Sequence, residues 1–198
     1  MLDRTIPFYN AILRCDSYEL QHILIPEECQ IVTYQPGFEK DWAKMEYKAG
    51  DFDSEEEASS YFCEKYCLPG RSDDILFLRI GTGQVIGSCI AWTDERNNAP
   101  VNSLHWLIVD DEYQGKGYGR LLCTATMNRF CHKGKEPIYI HTQPWSWKAI
   151  FLYLSLGFRL QKTDSFNSYA NQYHDVIRTL SRILSDEQIR EIEEKTDE

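Results

Sequence analysis

The chain has 198 residues, 21 of them Lys or Arg and 31 Asp or Glu, for a formal net charge of −10. Hydrophobic residues make up 42% and aromatic ones 13%, which excludes wholesale disorder and suits a single domain that folds without disulfides or metal. A mean hydropathy of −0.48, with no apolar run near the ~20 residues that cross a bilayer, excludes a membrane span, and the surplus of negative charge opposes broad binding to nucleic acid or anionic lipid.

Met1-Leu-Asp-Arg-Thr-Ile-Pro holds no apolar signal core, so export is not expected. The cysteines are Cys15, Cys29, Cys63, Cys67, Cys89, Cys123 and Cys131, an odd number without a C-x-x-C pair, and no histidine stands at a zinc-like spacing to them. Cys63 and Cys67, at helical spacing, read as small buried apolar groups. The expectation is reduced thiols in a cytoplasmic protein that holds no metal.

In chain order, Phe8 to Arg14 and Gln30 to Tyr34 read as short strands, the second closed by Pro36-Gly37. Phe38 to Lys48 keeps Phe38, Trp42, Met45 and Ala49 at three-to-four spacing, an amphipathic helix. Ser54 before Glu55, Glu56 and Glu57 is an N-cap with acids in the first turn; Tyr61, Phe62, Tyr66 and Leu68 continue that helix to Pro69-Gly70. A meander follows: strand Ile75 to Ile80, a turn over residues 81–84, strand Val85 to Trp92, a polar loop Asp94 to Pro100, and strand Asn102 to Val109. Tyr118, Leu121, Leu122, Ala125 and Phe130 then mark a helix ended by Gly134, and Pro137 to Thr142 is a strand. Ser146 is placed to cap a helix carrying Ala149, Ile150, Tyr153 and Leu154, with Gly157 as its stop. Phe158 to Gln161 and Tyr169 to Thr179 read as two final strands. From Ile183 to Glu198 seven acids face two bases, a solvated, acidic amphipathic helix opened by Ser185. This order gives an α+β, mixed-sheet domain, with 1–27 as an N-terminal arm, 28–182 as the core and 183–198 as the acidic helix.

The segment from Leu104 to Leu122 carries the chemistry. A strand runs into a turn holding Gly115, Gly117 and Gly119, and a helix follows at once. Glycines let main-chain N–H groups converge on a ligand, and the helix start adds partial positive charge, so the assembly suits a phosphate or pyrophosphate; Lys116 and Arg120 would add charge at its rim. A nucleotide-type loop needs G-x-x-x-x-G-K-S/T, which is absent, and a dinucleotide fold needs G-x-G-x-x-G, whereas the spacing here is G-x-G-x-G. An acyl-CoA pyrophosphate loop is the third reading.

Gln114-Gly-Lys-Gly-Tyr-Gly119 resembles the Q/R-x-x-G-x-G/A signature of the GNAT acetyltransferase superfamily, and Ala149-Ile-Phe-Leu-Tyr-Leu-Ser-Leu-Gly-Phe158 resembles its A-x-x-L-Y-x-x-x-G-F motif. Both stand in the family's order, with a helix and a strand between them. The resemblance implies a mixed, mostly antiparallel sheet flanked by helices and splayed between its fourth and fifth strands. It implies acetyl-CoA as cosubstrate, held by Gln114, by the main chain of Gly115, Lys116, Gly117, Tyr118, Gly119 and Arg120, by strand residues Leu107, Ile108 and Val109, and by Ser146, Ala149 and Tyr153. Ser146 stands where the family commonly has Asn.

Acetyl transfer to an amine needs an uncharged amine held near the thioester, a donor for the oxyanion and a proton for the thiolate. The resemblance gives Tyr153 the last task, since a phenol is protonated at pH 7; a core aromatic is the other reading. His105 is the candidate base, or a histidine bonded in the core. Arylalkylamine acetyltransferases are similar in carrying histidine on this strand, and Ser103 stands where many members have Glu. Strand alternation would set Ser103, His105, Leu107 and Val109 on one face. Trp42 or Trp147 could wall an acceptor site. The expectation is an N-acetyltransferase acting on a small-molecule amine, as monomer or homodimer; a protein lysine or N-terminal acetyltransferase and a silent acyl-CoA-binding module are the alternatives.

Overall fold

A computed structural model describes residues 3–81, 83–131 and 137–197; the expected helix stop at Gly134, and Thr82 of the expected turn, lie outside them. The chain divides into two compact units, one of Leu20–Trp92 and Leu104–His132, the other of Leu2–Glu19, Thr93–Ser103 and Lys133–Glu198.

The first unit contains strands β2 (Cys29–Thr33) and β3 (Ile75–Ile80), and most of β4 (Gln84–Arg96) and β5 (Ala99–Val109), hydrogen-bonded in that order. Helices α1 (Phe38–Ala49), α2 (Glu55–Tyr66) and α3 (Tyr118–Cys131) complete it. Ser54 caps α2 as expected, accepting from the Glu57 N–H at 3.0 Å. The inward faces of α1 and α2 and of β3 form one apolar cluster with Trp42, Phe62, Tyr66 and Phe77 fully buried. Gly87 on β4 is a packing necessity. A Cβ there would lie 2.7 Å from the Ile108 carbonyl oxygen and 2.9 Å from Leu122 Cδ1, so only glycine lets β5 and α3 come this close.

The second unit contains β1 (Ala11–Cys15), β6 (Ile138–Thr142), β7 (Arg159–Gln161), β8 (Thr196–Asp197) and helices α4 (Trp147–Ser155), α5 (Tyr173–Leu180) and α6 (Asp186–Glu194). β1 lies antiparallel between β6 and β7, and β8 pairs parallel with β7. β5 and β6 are parallel, with a register of only Asn102↔Ile138 and Ser103↔Tyr139 although β5 has 11 residues; this brief pairing is the splay the resemblance implies. Among the described residues the strands form an open mixed sheet of eight, with six α-helices.

Three expectations change. The loop at Asp94 to Pro100 shrinks to Asn97-Asn98, which both take positive φ (51° and 61°), the pattern of a tight two-residue hairpin that matches strand twist. Tyr169 to Thr179 is not a strand: the chain forms α5 instead, burying Val176, Thr179 and Leu180, a helical spacing that β-branched residues had disguised. The acidic C-terminal segment forms the expected amphipathic helix as α6, capped by Ser185 and burying Ile192, but its last residues form β8 instead of continuing that helix.

Candidate active site

The glycine loop is built from the end of β5. After Val109, Asp110 caps a single 3-10 turn (Asp111–Tyr113), its carboxylate accepting from the Glu112 N–H and from Lys48 Nζ, both at 3.1 Å. Burial pushes that carboxyl up, but these two donors prevail and hold it below its ordinary value. Gln114 Nε2 donates back to the Val109 carbonyl at 3.0 Å and to Asp111 Oδ1 at 2.9 Å. The Gln114 side chain therefore ties the loop to its strand. Gly115 and Gly117 have φ of 75° and 85°, and a Cβ on either would meet nothing within 4 Å. The Leu121 N–H donates to the Gly117 carbonyl at 3.0 Å, closing the first turn of α3, and the leading N–H groups of a helix point outward along its axis. A left-handed bend in open space, leading into a helix start, is a main-chain cradle for an anion, and the diphosphate of an acyl-CoA fits the donors present.

The neighbouring side chains divide by role. Tyr118 is buried, its hydroxyl 3.4 Å from Glu28 Oε1, and its hydrogen bond with Cys29, followed by burial, pushes it up to about 12. Only its main chain is offered to a ligand. Lys116 lies exposed with Nζ 5.0 Å from the Tyr113 ring centre, Arg120 is exposed, and Gly119 is half-buried in the first turn of α3. Leu107 and Ile108 are half-buried and Val109 is buried, at the loop end of β5.

β5 does not keep the alternation expected of it. Trp106 has φ of 48°, the left-handed region, in the middle of the strand. Its ring packs on Trp42 at 5.3 Å, Tyr61 at 5.6 Å and Phe52 at 5.7 Å. His105, the preceding residue, turns to the same cluster, with Nδ1 at 2.9 Å from the Tyr66 hydroxyl. Two consecutive side chains on one side are the mark of a β-bulge. Beyond it Ile108, not Leu107, packs against the cluster, so His105 does not share a face with Leu107 and Val109.

In the second unit, Ser146 precedes α4 without capping it; its Oγ accepts from Gln143 Nε2 at 3.0 Å. Ala149 is half-buried. Tyr153 is 5% exposed, its ring edge-on to Phe158 at 6.0 Å. Among the other residues singled out, Trp42 is core at 0% exposure, Trp147 is half-buried and faces Phe151 at 6.3 Å, and His141 stacks on Tyr169 at 3.7 Å while Nε2 meets Asn10 Oδ1 at 2.8 Å. All seven cysteines are free thiols, Cys63 exposed where burial was expected, and no group of three or more metal-ligating side chains occurs among the described residues.

Two residues escaped the sequence reading. Tyr66 stands 39 positions before His105, a pairing no local pattern announces. Trp106 gives no sign either, because aromatic residues are ordinary strand formers.

Residues 36–158 match the model of the Acetyltransferase (GNAT) family. Mycothiol acetyltransferases of Saccharomonospora viridis and Thermobispora bispora are 25% and 26% identical to this chain, over 71% and 68% of it, but over only 49% and 48% of their own lengths. The chain thus spans about half of these curated relatives. Among solved structures, a GCN5-related N-acetyltransferase from Sphaerobacter thermophilus aligns with a TM-score of 0.57 at 15% identity, over 77% of this chain and 48% of that one. A GNAT-family acetyltransferase from Colwellia psychrerythraea gives 0.59 at 12%, over 78% and 54%. These likenesses show the same α+β fold.

Proposed function

The chain belongs to the GNAT acetyltransferase family, and on that premise we propose that it moves an acetyl group from acetyl-CoA to a primary amine of a small molecule. The observation that carries this reading is the paired left-handed glycines, Gly115 and Gly117, bending the main chain into open space at the start of α3. Their N–H groups, with those of Lys116 to Arg120, bind the diphosphate, while Gln114 and Asp110 brace the loop from behind. The main chain of Leu107 to Val109 holds the pantetheine arm, a role that an open strand end can fill by adding one more strand; Ser146 and Ala149 line the same arm.

Acetyl-CoA supplies an acyl carbon joined to a good leaving group, and this chain's residues manage the protons. His105 takes the proton that the amine sheds as it attacks. An N–H at Leu107 or Val109 steadies the oxyanion. Tyr153 gives its hydroxyl proton to the departing thiolate. The mycothiol acetyltransferase likeness and the net charge of −10 support a small, cationic acceptor.

The test is calorimetry with coenzyme A, followed by free-thiol release from acetyl-CoA across glucosamine, spermidine and benzylamine. Binding near micromolar with amine-dependent thiol release is expected; no heat of binding would remove the reading at its root. Equal turnover by wild type and Tyr153→Phe would remove the proton-donor role alone.

A further inference from the structure

Tyr66 is the last residue of α2 and is 1% exposed. Its hydroxyl lies 2.9 Å from Nδ1 of His105. Trp92 meets the Tyr66 ring edge-on at 5.0 Å and lies 6.2 Å from the imidazole, inclined by 38°. The phenol and the indole thus set the plane of the imidazole and turn Nδ1 towards Tyr66, leaving Nε2 on the far side of the ring. The charged groups seen against these rings are Lys65 of α2 and Arg71 beyond it, at 5.8 and 4.5 Å from the Trp92 ring centre.

We propose that Tyr66 is a positioning residue for His105: its oxygen receives the Nδ1–H and so holds the tautomer whose Nε2 carries a lone pair, the form a base requires. The inference rests on the reading of His105 as that base. A hydroxyl both donates and accepts, with a hydrogen that rotates to suit, and a hydrogen bond at one imidazole nitrogen decides which nitrogen is free. The same logic lets an acceptor behind a catalytic histidine fix its tautomer. In the step itself the amine proton arrives on Nε2, and the imidazolium keeps Nδ1–H bonded to Tyr66. No proton passes to the phenol, so the pair is ready again once Nε2 is relieved of its proton to water.

The test is the two-bond proton–nitrogen correlation spectrum of the full chain at the alkaline end of the histidine titration, with the His105 signals assigned by their loss in His105→Ala. Wild type is expected to show His105 protonated at Nδ1. Tyr66→Phe, which keeps the ring and removes only the oxygen, is expected to give mixed tautomers. Thiol release with glucosamine, spermidine or benzylamine should then fall about tenfold in kcat, with KM for acetyl-CoA held within twofold. A wild-type spectrum protonated at Nε2, or an unchanged tautomer in Tyr66→Phe, would overturn the proposal; the wild-type spectrum decides it even if the variant fails to fold. Full turnover by His105→Ala would overturn the base reading, and the catalytic use of Tyr66 with it, while leaving the spectrum as it was, so the two failures are distinct.

Discussion

In the unit that carries the glycine loop, Trp42, Phe62, Tyr66 and Phe77 are each 1% exposed or less, and their rings meet Phe52, Tyr61 and Trp106. In the other unit one carboxylate stands at a comparable centre: Asp164 accepts from Arg14 at 2.7 Å, from both Nε and Nη2 of Arg96 at 2.9 and 2.7 Å, and from Tyr139 at 2.8 Å. The difference follows from what each must hold. α1 and α2 are regular helices whose main chain satisfies itself, so ring packing is enough to seat them. Residues 163–172 have no ladder, and their polar groups draw on side-chain partners: Asn171 donates to the carbonyls of Gln161 and Asp164, and Asn10 to that of Ala170.

Substitutions of graded size can break this contrast. Trp42→Ala should cost the most, about 4 kcal/mol, because a large fully buried ring leaves a cavity; urea unfolding measures it, and a loss below about 1 kcal/mol would mean that the aromatic cluster is not what seats α1. Asp164→Ala should cost about 3 kcal/mol by stranding two guanidinium groups. The same residue predicts a pH dependence. Burial pushes its carboxyl up, but Arg14, Tyr139 and Arg96 outweigh that and hold it below its ordinary value. Its stabilisation is therefore present in full above about pH 4 and is lost as pH falls through the lowered value; the acid limb of the stability curve should be shallower in Asp164→Ala. Gly117→Val strains a φ of 85° and fills the open space in front of the loop. Coenzyme A affinity should fall about thirtyfold, roughly 2 kcal/mol, by calorimetry. Ser54→Ala removes only the cap of α2 and should cost about 1 kcal/mol, read as a small drop in the unfolding midpoint.

What could be read from the sequence was whatever chemistry is local. Ile75 to Ile80 is a strand at both expected ends, Ser54 is the cap its acidic followers announce, and the loop is legible because glycine is the residue that bends left at no cost. The segment of α5 reads as a strand because Val176, Ile177 and Thr179 are β-branched, but burial of Val176, Thr179 and Leu180 on one helical face overrides their intrinsic preference. The bulge at Trp106 and the bond from Tyr66 to His105 depend on elements far apart in the chain meeting in space, and no window of sequence contains both partners.

The end of the chain is stitched into the sheet: the Leu160 and Lys162 N–H groups donate to the carbonyls of Lys195 and Asp197 at 2.9 Å, and Arg159 Nε bonds Asp197 at 2.5 Å. Those few residues act as a selvedge. Trimming the chain after Glu194 would leave the outer rim of β7 with unsatisfied donors, a template on which a second molecule can build, so a preparation clipped there should cloud on standing long before it loses its helices.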